Sequence, residues 1–159
     1  MKNSFWNNRK VFITGHTGFK GGWLTLWLKS LGAKICGYAL KPESKKSLYY
    51  EAEVSKGIDS NFNNILNYKQ LSQKVSQFSP EVVFHLAAQP LVKESYICPQ
   101  KTFSTNISGT INLLESLRQS KTVKSVVVVT TDKVYKNKEC KKGYKEDDSL
   151  GGFDPYSSS

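Results

Sequence analysis

The sequence predicts an α/β fold, a doubly wound parallel sheet with helices on both faces. Segments with the pattern of strands and segments with the pattern of helices alternate along the chain, which favours a sheet built from strand–helix–strand units. The strand segments are almost continuously apolar, as in residues 81–88 (EVVFHLAA), and such runs are typical of parallel strands buried on both faces. Because crossovers between parallel strands are right-handed, helices are expected on both faces of the sheet.

The chain begins with a predicted strand, a glycine-rich turn and a helix. Residues 10–14 (KVFIT) are β-rich and run directly into glycines. The apolar residues within 22–32 recur at the spacing of a helix with one buried face; they are Trp23, Leu24, Trp27, Leu28 and Leu31. Gly32 is expected to end this helix.

The remaining elements follow in order along the chain. We predict a strand over 33–40, a loop with a short helical piece over 41–55, a weak strand near 56–62, a helix over 68–78, a strand over 81–88, a long helix over 102–120 and a buried strand over 123–131. Pro80 lies just past the end of the helix over 68–78, and Gly109 is a weak point of the long helix. Residues 136–152 are charged and contain glycine, which predicts a loop.

Length and charge restrict the class of protein. The 159 residues are 38% hydrophobic, enough for one domain with its own core. The net charge is +10, and every basic residue except Arg9 and Arg118 is a lysine. Because base and phosphate recognition favours the planar guanidinium group, we expect no nucleic-acid partner. Scattered lysines are typical of a solubilising surface, although a basic field can also attract a small polyanion.

Metal, membrane and secretory functions are not expected either. Cys36, Cys98 and Cys140 form no CxxC pair and His16 and His85 are the only histidines, so we expect no metal site. No stretch approaches the roughly 20 apolar residues that span a membrane. The N-terminal segment lacks a long apolar region, so we expect no signal peptide and a cytoplasmic protein with reduced thiols.

The glycines between the first strand and the first helix predict an anion-binding loop. Gly15, Gly18 and Gly21 form a G-x-x-G-x-x-G pattern, and residues without a Cβ allow the backbone to approach a pyrophosphate. The helix that follows offers free N–H groups to that anion. No GK[ST] sequence follows, which disfavours a nucleoside triphosphate loop. The sequence therefore predicts a Rossmann-type dinucleotide site, the alternative being a glycine-rich turn without a ligand.

The cofactor itself stays open between NAD and NADP. NAD-binding sheets usually carry an acidic residue at the end of the second strand. Here residues 36–42 (CGYALKP) contain no acid, and the first is Glu43. Lys41 would suit a 2′-phosphate.

Five pieces of the sequence carry a family resemblance that covers the chain from residue 10 onward. They are TGHTGFKGGWL (14–24), HLAAQPLVKESY (85–96), TNISGTINLLES (105–116), TTDKVYKN (130–137) and EDDSLGGFDPYSSS (146–159). Together they resemble the extended short-chain dehydrogenase/reductase family and, within it, the CDP-glucose 4,6-dehydratases. Related enzymes for other sugars usually have Thr-Asp-Glu where this chain has Lys133, and the lysine indicates the CDP-sugar branch.

The resemblance implies NAD-dependent dehydration of CDP-glucose to CDP-4-keto-6-deoxyglucose. This reaction oxidises C4, eliminates water across C5 and C6, and returns the hydride to C6. Tyr156 matches the base for the C4 hydroxyl, Thr131 the hydroxyl that bonds O4, Asp132 the acid for the C6 oxygen and Lys133 the base at C5. From the residues alone, the alternatives are that Asp132 and Lys133 form a surface ion pair and that Tyr156 is an ordinary aromatic at the start of a helix.

The resemblance also implies which residues contact the ligands. The cofactor-binding positions are Gly15, Thr17, Gly18, Phe19, Lys20, Gly21, Leu86, Ala87, Ala88 and Thr130. Gln89 and Asn106 match substrate-facing positions, and His85 is expected to order the loop at its strand end. The chain departs from the family at Gly22, where serine is common, at Lys93, where arginine is usual, and at 63–68, which lacks two usual aspartates.

The chain ends inside a family motif. The family carries Tyr-x-x-x-Lys, and the lysine would be the residue after Ser159. We therefore expect residues 1–159 to be an incomplete NAD(P)-binding domain without its substrate-binding C-terminal domain, inactive alone, with an unpaired sheet edge after the fifth strand. The full-length form is expected to be a homodimer. The alternatives are a non-catalytic dinucleotide-binding remnant and another nucleotide-sugar epimerase or dehydratase.

Overall fold

The computed structural model describes residues 5–139 and 141–159 and confirms the predicted fold class. The strands are β1 Lys10–Thr14, β2 Lys34–Ala39, β3 Asp59–Phe62, β4 Val82–His85 and β5 Ser125–Val128. The helices are α1 Phe19–Ser30, α2 Leu48–Glu51, α3 Tyr68–Phe78, α4 Val92–Ile97, α5 Pro99–Phe103 and α6 Gly109–Leu117, with a π-helical turn at Ser104–Ser108 and a 3₁₀ turn at Asp132–Val134. Cys140 and residues 1–4, which figured in the cysteine and signal-peptide expectations, lie outside the described residues.

The five strands form one parallel sheet in the order β3-β2-β1-β4-β5. The strand order reverses between β1 and β4, because the chain crosses from one side of β1 to the other. In sheets of this kind the reversal opens a crevice at the carboxyl ends of the strands, where ligands bind.

Two layers of core cover the two faces of the sheet, as right-handed crossovers require. One cluster packs β1 and β2 against α3 and α6, and it includes Phe12, Tyr38, Leu71, Val75, Val83, Leu113 and Leu117. The other packs the opposite face against α1 through Val11, Ile13, Leu28, Ile35 and Val82. The apolar runs predicted for β1 and β4 are therefore buried on both sides.

The predicted buried face of the first helix is confirmed at Leu28 and wrong at Trp23 and Trp27. Trp23 is 55% exposed and Trp27 is 65% exposed. The buried residues of α1 are Gly21, Gly22, Thr25 and Leu28. A Cβ on Gly21 would lie 2.1 Å from the Gly15 carbonyl oxygen. The helix thus contacts the glycine loop and the sheet through its small residues, and the indoles point outward.

The long helix predicted over 102–120 forms as one continuous helical run. In this run α5, the π-helical turn and α6 follow one another without a gap, and the run ends at Leu117. At Gly109 a Cβ would lie 2.7 Å from Ile65 Cγ2. This glycine therefore allows α6 to pack close to the segment after β3, which explains a residue of poor helix propensity at this position.

The last predicted strand is shorter and more exposed than expected. Strand β5 ends at Val128 rather than near 131, and Val127 and Val128 are 42% and 37% exposed. It pairs only with β4 among the described strands, which agrees with the expected unpaired edge. Within this strand Val126 packs against the first core cluster, whereas Val127 and Val128 stay exposed.

Residues 153–158 form hydrogen-bonded turns and not the helix expected at Tyr156. The Ser157 amide donates to the Asp154 carboxylate at 2.9 Å, and the Ser158 amide donates to the Asp154 carbonyl at 3.1 Å. Asp154 therefore holds the turn in which Tyr156 lies.

Candidate functional site

A cleft of about 530 Å³ lies at the carboxyl ends of the strands, where the strand order reverses. Every residue that was predicted to contact the cofactor lines it: Gly15, Thr17, Gly18, Phe19, Lys20, Gly21, Leu86, Ala87, Ala88 and Thr130. Tyr156 lines it as well. The sequence thus identified one continuous surface from segments far apart in the chain.

The glycine loop has the geometry that its sequence predicted. Gly15 has a φ of 76°, in the left-handed region that favours glycine. A Cβ at this position would lie 2.7 Å from the Ala87 amide nitrogen. Gly15 and Gly21 must both lack side chains because the loop, α1 and the end of β4 touch one another here.

The start of α1 provides a site for an anion. Gly18 is the N-cap, no side chain caps it, and the first turn carries no acidic residue. Its free N–H groups and the positive end of the helix dipole favour a phosphate group. Lys20 and Lys101 are the charged side chains that line the cleft, so the electrostatics also favour an anion.

A chain of hydrogen bonds runs beneath the cleft. The Thr14 hydroxyl accepts from the Leu86 and Ala87 amides, both at 3.1 Å, and lies 2.6 Å from His85 Nδ1. The hydroxyl proton of Thr14 is not used in these two bonds, so Thr14 donates it to Nδ1, which is the acceptor. The other ring nitrogen, Nε2, then donates to the Thr110 hydroxyl at 2.9 Å, and that hydroxyl donates to the Asn106 carbonyl at 2.6 Å.

This chain requires a neutral imidazole. Burial lowers the pKa of His85 to about 4, and the ring is 3% exposed. His85 therefore orders the loop after β4, in the way that was expected from its position at a strand end. Thr14 was not recognised, because nothing in the sequence shows that its hydroxyl is turned toward that loop.

Gln89 and Asn106 contact each other rather than lining the cleft. The Asn106 side chain accepts from the backbone amide of Gln89 at 2.8 Å and donates to the Ser159 hydroxyl at 2.7 Å. The Gln89 side chain is 8% exposed and donates to Thr102 at 2.8 Å. Asn106 thereby joins the turn after β4 to the end of the segment that holds Tyr156.

The residues after β5 form a compact polar turn. The Thr131 hydroxyl lies 3.4 Å from the Asp132 carboxylate and accepts from the Lys133 amide at 3.3 Å. Asp132 and Lys133 are exposed. Burial acts to raise the pKa of Asp154, but hydrogen bonds from Ser157 and the nearby Lys133 ammonium lower it overall. The Lys133 ammonium therefore interacts electrostatically with Asp154, in the turn that carries Tyr156.

His16, inside the glycine loop, was not identified from the sequence as part of the site. Its ring is fully buried, and Nε2 lies 2.7 Å from the Ser60 hydroxyl, which in turn lies 2.7 Å from the Tyr49 hydroxyl. Within the described residues Nδ1 has no hydrogen-bond partner. Burial lowers the pKa of His16 to about 4, so a neutral ring fixes the loop against β3.

Several lining residues were missed by sequence reasoning: Tyr38, Ala39, Leu40, Asn63, Asn64, Ile65, Leu66, Pro90, Lys101, Thr105 and Val129. Those at the ends of β2 and β3 carry a usable signal, since the carboxyl ends of parallel strands share one edge of the sheet. Lys101 and Thr105 carry none, because only the packing of α5 and the π-helical turn brings them to the cleft.

The cleft fits a nicotinamide dinucleotide. Two glycines leave the backbone uncovered, a helix N-terminus faces the phosphate position, and apolar walls from Ile65, Leu66 and Leu86 suit flat rings. No group of three or more metal-binding side chains occurs among the described residues. In the same part of the chain, no helix is long and apolar enough to cross a membrane.

Several known dehydratases are similar to this chain in sequence. The GDP-mannose 4,6 dehydratase family model matches residues 12–159. CDP-glucose 4,6-dehydratase of Salmonella typhimurium is 46% identical over 159 residues, which are 100% of this chain and 44% of that enzyme. GDP-mannose 4,6-dehydratase sdnI of Sordaria araneosa is 33% identical over 110 residues, 69% of this chain and 20% of that protein. The chain thus spans less than half the length of these relatives.

Solved structures share the fold. UDP-glucose 4-epimerase of Brucella ovis, solved in complex with NAD, has a TM-score of 0.81 and is 23% identical in sequence. The match covers 94% of this chain and 44% of the epimerase chain. MoeE5 in complex with UDP-glucose and NAD has a TM-score of 0.75 and is 26% identical in sequence. The match covers 94% of this chain and 45% of the MoeE5 chain.

Proposed function

This chain belongs to the GDP-mannose 4,6 dehydratase family, and we propose that it forms the dinucleotide-binding part of an NAD-dependent CDP-glucose 4,6-dehydratase. One observation carries the proposal: the glycine loop and Tyr156 line a single cleft, in a chain 46% identical along its whole length to the Salmonella enzyme of that name. The proposed reaction oxidises C4 of the sugar, eliminates water across C5 and C6, and returns the hydride to C6.

The chain would hold NAD through the glycine loop and the end of β4. Gly15, Gly18 and the first turn of α1 would bind the pyrophosphate through backbone N–H groups. Ala87 and Ala88 would leave room for the cofactor beside the sheet edge. When bound, NAD supplies the hydride acceptor for C4 and the hydride donor for C6.

Tyr156 and Thr131 would act on the C4 hydroxyl. Tyr156 would take the hydroxyl proton, and the Thr131 hydroxyl would hold the same oxygen by a hydrogen bond. A free phenol has a pKa of about 10, so Tyr156 needs a nearby cation to act as a base near neutral pH.

Asp132 and Lys133 would carry out the elimination. Lys133 would take the C5 proton, and Asp132 would give a proton to the departing C6 oxygen. The protonated Lys133 would give a proton back to C5 when the hydride returns to C6. Their exposure and their position in one short turn, which follows the cleft residue Thr130 closely in sequence, support the assignment. Paired acid and base groups of this kind are what an elimination of water requires.

Gln89 and Asn106 would position the substrate side of the cleft. The hydrogen bonds of Asn106 to the Gln89 backbone and to Ser159 support a bracing role. The active form is proposed to be a homodimer. An exposed apolar row along α5, the π-helical turn and α6 supports this, and it consists of Phe103, Ile107, Ile111 and Leu114.

A product assay tests the proposed reaction. The purified protein of native length is incubated with NAD and CDP-glucose, and the nucleotide is analysed by mass spectrometry. We expect a product lighter by one water, with no net NADH. UDP-glucose and GDP-mannose serve as controls for the nucleotide, and faster dehydration of either one would contradict the assignment to CDP-glucose.

The length of the native protein decides how the assay is interpreted. The intact mass of the protein from its source is compared with the 17.9 kDa of this chain. Steady turnover of CDP-glucose by the 159-residue chain alone would overturn the expectation that it is inactive by itself. Tight binding of NAD without turnover by the native-length protein would favour a dinucleotide-binding remnant instead.

A further inference from the structure

We propose that Tyr144 is a positioning residue, which holds Asp132 and Lys133 in place relative to Tyr156. It lies in the segment 134–151, which we call the hairpin loop. This loop connects the 3₁₀ turn that carries the proposed acid and base to the turn that carries Tyr156. The inference rests on the proposed function and assigns it one further residue.

The two ends of the hairpin loop pair with each other. Antiparallel backbone contacts join the first three residues of the loop, 134–136, to the last three, 149–151. Among them, the Gly151 amide donates to the Val134 carbonyl at 2.8 Å. Val134 is also the last residue of the 3₁₀ turn. The end of the loop is therefore bound directly to the turn that carries the proposed acid and base.

The end of the hairpin loop continues in close contact into the turn of Tyr156. A Cβ on Gly151 would lie 3.3 Å from Lys136 Cβ, and a Cβ on Gly152 would lie 2.5 Å from Ser157 Oγ. The backbone at both glycines therefore lies against its neighbours. Because of these contacts, the paired ends of the loop determine how the 3₁₀ turn is placed relative to the turn of Tyr156.

Two tyrosine rings stack inside the hairpin loop. The ring centroids of Tyr135 and Tyr144 are 4.9 Å apart and the ring planes differ by 10°, and the Tyr144 hydroxyl donates to Asn137 Oδ1 at 3.2 Å. Both tyrosines are half-buried, whereas Lys136 and Lys145 beside them in sequence are exposed. Two short paired strands are only marginally stable in water, and an aromatic pair adds stability beyond the area it buries. The stack therefore supplies the side-chain contact that the backbone pairing needs.

Tyr135 connects the stack to the proposed acid. It is the C-cap of the 3₁₀ turn, and its amide donates to the Asp132 carbonyl at 3.1 Å. The side chains of Asp132 and Lys133 are exposed, so burial does not fix them in place. The position of the proposed acid and base therefore depends on the backbone of their turn, which Tyr135 and its stacking partner Tyr144 hold.

Loss of the stack should affect one step of the proposed reaction more than the others. Tyr144 does not line the cleft, so cofactor binding does not depend on it directly. The turn of Tyr156 has a second connection to the fold, because the Asn106 side chain donates to the Ser159 hydroxyl at 2.7 Å. Without the stack, the exposed 3₁₀ turn is displaced more than Tyr156 is. The elimination of water should therefore slow more than the oxidation at C4.

Steady-state kinetics of the native-length protein with NAD and CDP-glucose test the proposal. Tyr144→Leu should lower kcat roughly tenfold, because small misplacements of catalytic groups slow a reaction strongly, and should change the Kd for NAD by less than about twofold. Reduced cofactor should accumulate during turnover of this variant, since oxidation at C4 continues while elimination is slow, and its near-ultraviolet absorbance measures this. Tyr144→Phe keeps the stack and loses the hydroxyl, so its kcat should stay within about twofold of that of the unmodified protein.

Tyr68→Leu is the matched control, because Tyr68 lies at the start of α3 and does not line the cleft. This variant should change neither kcat nor the Kd for NAD. Tyr135→Leu removes the other ring of the stack. The double variant Tyr135→Leu/Tyr144→Leu should be no less active than Tyr135→Leu, because both substitutions break the same contact.

The outcomes separate this inference from the proposed function. If the unmodified protein dehydrates CDP-glucose and Tyr144→Leu does so at the same rate, the inference is overturned and the proposed function stands. A loss of NAD affinity that parallels the loss of kcat would also overturn it, because Tyr144 would then support the fold as a whole. An equal loss of kcat in Tyr144→Phe would assign the effect to the hydroxyl and overturn the role of the stack. If the unmodified protein dehydrates no nucleotide sugar, the proposed function fails and the inference fails with it.

Discussion

The Thr14 hydroxyl lies 2.6 Å from Nδ1 of His85, and this contact joins the first strand of the sheet to the loop that borders the cleft. Thr14 also accepts from two amides of that loop. On its other side His85 reaches Thr110 and, through it, the Asn106 carbonyl. The cofactor side and the proposed substrate side of the cleft are therefore held by one set of buried hydrogen bonds.

Replacing Thr14 by valine should destabilise the protein and weaken dinucleotide binding. Valine has nearly the same shape but leaves the Ala87 amide and an imidazole nitrogen without their partner, whereas the Leu86 amide keeps the Thr14 carbonyl at 3.1 Å. Buried groups left unpaired cost about 1–3 kcal/mol each, so we expect a loss of roughly 3 kcal/mol in the free energy of unfolding after partial relaxation. Urea denaturation measures this. Thr14→Ser keeps the hydroxyl and should lose far less, and equal losses in both variants would show that the hydrogen bonds are unimportant.

Stability should fall as the pH is lowered from about 6.5 toward 4, the range set by the lowered pKa values of His16 and His85. In the folded protein both rings stay neutral in this range, whereas in the unfolded chain they bind protons. Unfolding therefore takes up protons, and the free energy of unfolding decreases by up to about 1.4 kcal/mol per pH unit for each histidine. Above pH 6.5 this dependence disappears.

The number of protons taken up on unfolding at pH 5.5 checks this prediction in the unmodified protein. It can be obtained from the pH dependence of the urea midpoint, and we expect a value of about two. A value near zero would mean that both histidines titrate normally in the folded state. His85→Asn should lower the uptake by about one proton.

Gly21→Ala should abolish dinucleotide binding and strongly destabilise the fold. The new methyl carbon would lie 2.1 Å from the Gly15 carbonyl oxygen, and both atoms belong to backbone segments that cannot move independently. Gly143→Ala is the matched control, since a Cβ there meets no atom within 4 Å. Thermal unfolding and NAD titration of the two variants should differ sharply, and an NAD affinity of wild-type strength in Gly21→Ala would contradict the close approach of α1 to the loop.

Lys133→Glu should stop the elimination of water and leave NAD binding intact. The substitution removes the proposed base at C5, but Lys133 does not line the cofactor cleft. Product formation from CDP-glucose and NAD affinity are measured on the same preparation of the native-length protein. Lys136→Glu, an exposed lysine in the following loop, controls for the change in charge. Unchanged elimination in Lys133→Glu would remove this residue from the mechanism.

Trp27→Ala and Leu28→Ala should have very different effects on stability, although the residues are adjacent. Trp27 is 65% exposed and Leu28 is 2% exposed. Removal of a buried leucine side chain costs about 2–5 kcal/mol, whereas an exposed position usually changes stability by less than about 0.5 kcal/mol. Urea denaturation of the two variants tests which face of α1 is buried. A large loss from Trp27→Ala would mean that its indole is covered in the native protein.

The fold and the cofactor loop could be predicted because their signals are local. The runs around Val83 and Val126 reveal strands through their apolar character, and Gly15 and Gly21 mark a turn that side chains would obstruct. Boundaries were less certain: the strand predicted up to residue 131 ends at Val128, and the helix predicted from 22 begins at Phe19. These limits depend on hydrogen bonds that neighbouring strands and loops provide.

The buried face of α1 could not be predicted because hydrophobicity alone favoured the indoles of Trp23 and Trp27. Close contact with the glycine loop selects Gly21 and Thr25 for that face instead, since only small residues fit there. The sequence around Gly109 likewise predicts a continuous helix, and the structure keeps that helix but includes a π-helical turn at Ser104–Ser108.

The sequence by itself determined the order of the five strands, the glycine loop and the main segments that meet at the cleft, because each follows from side-chain periodicity or from the absence of a Cβ. It did not show the short helix α4. Only the tertiary structure decided which groups act together: Thr14 with His85, Asn106 with Gln89, and Thr17 with the end of β2. These pairs are distant in sequence or depend on the direction of a side chain. Their contacts form only when the parallel strands bring their carboxyl ends to one edge of the sheet.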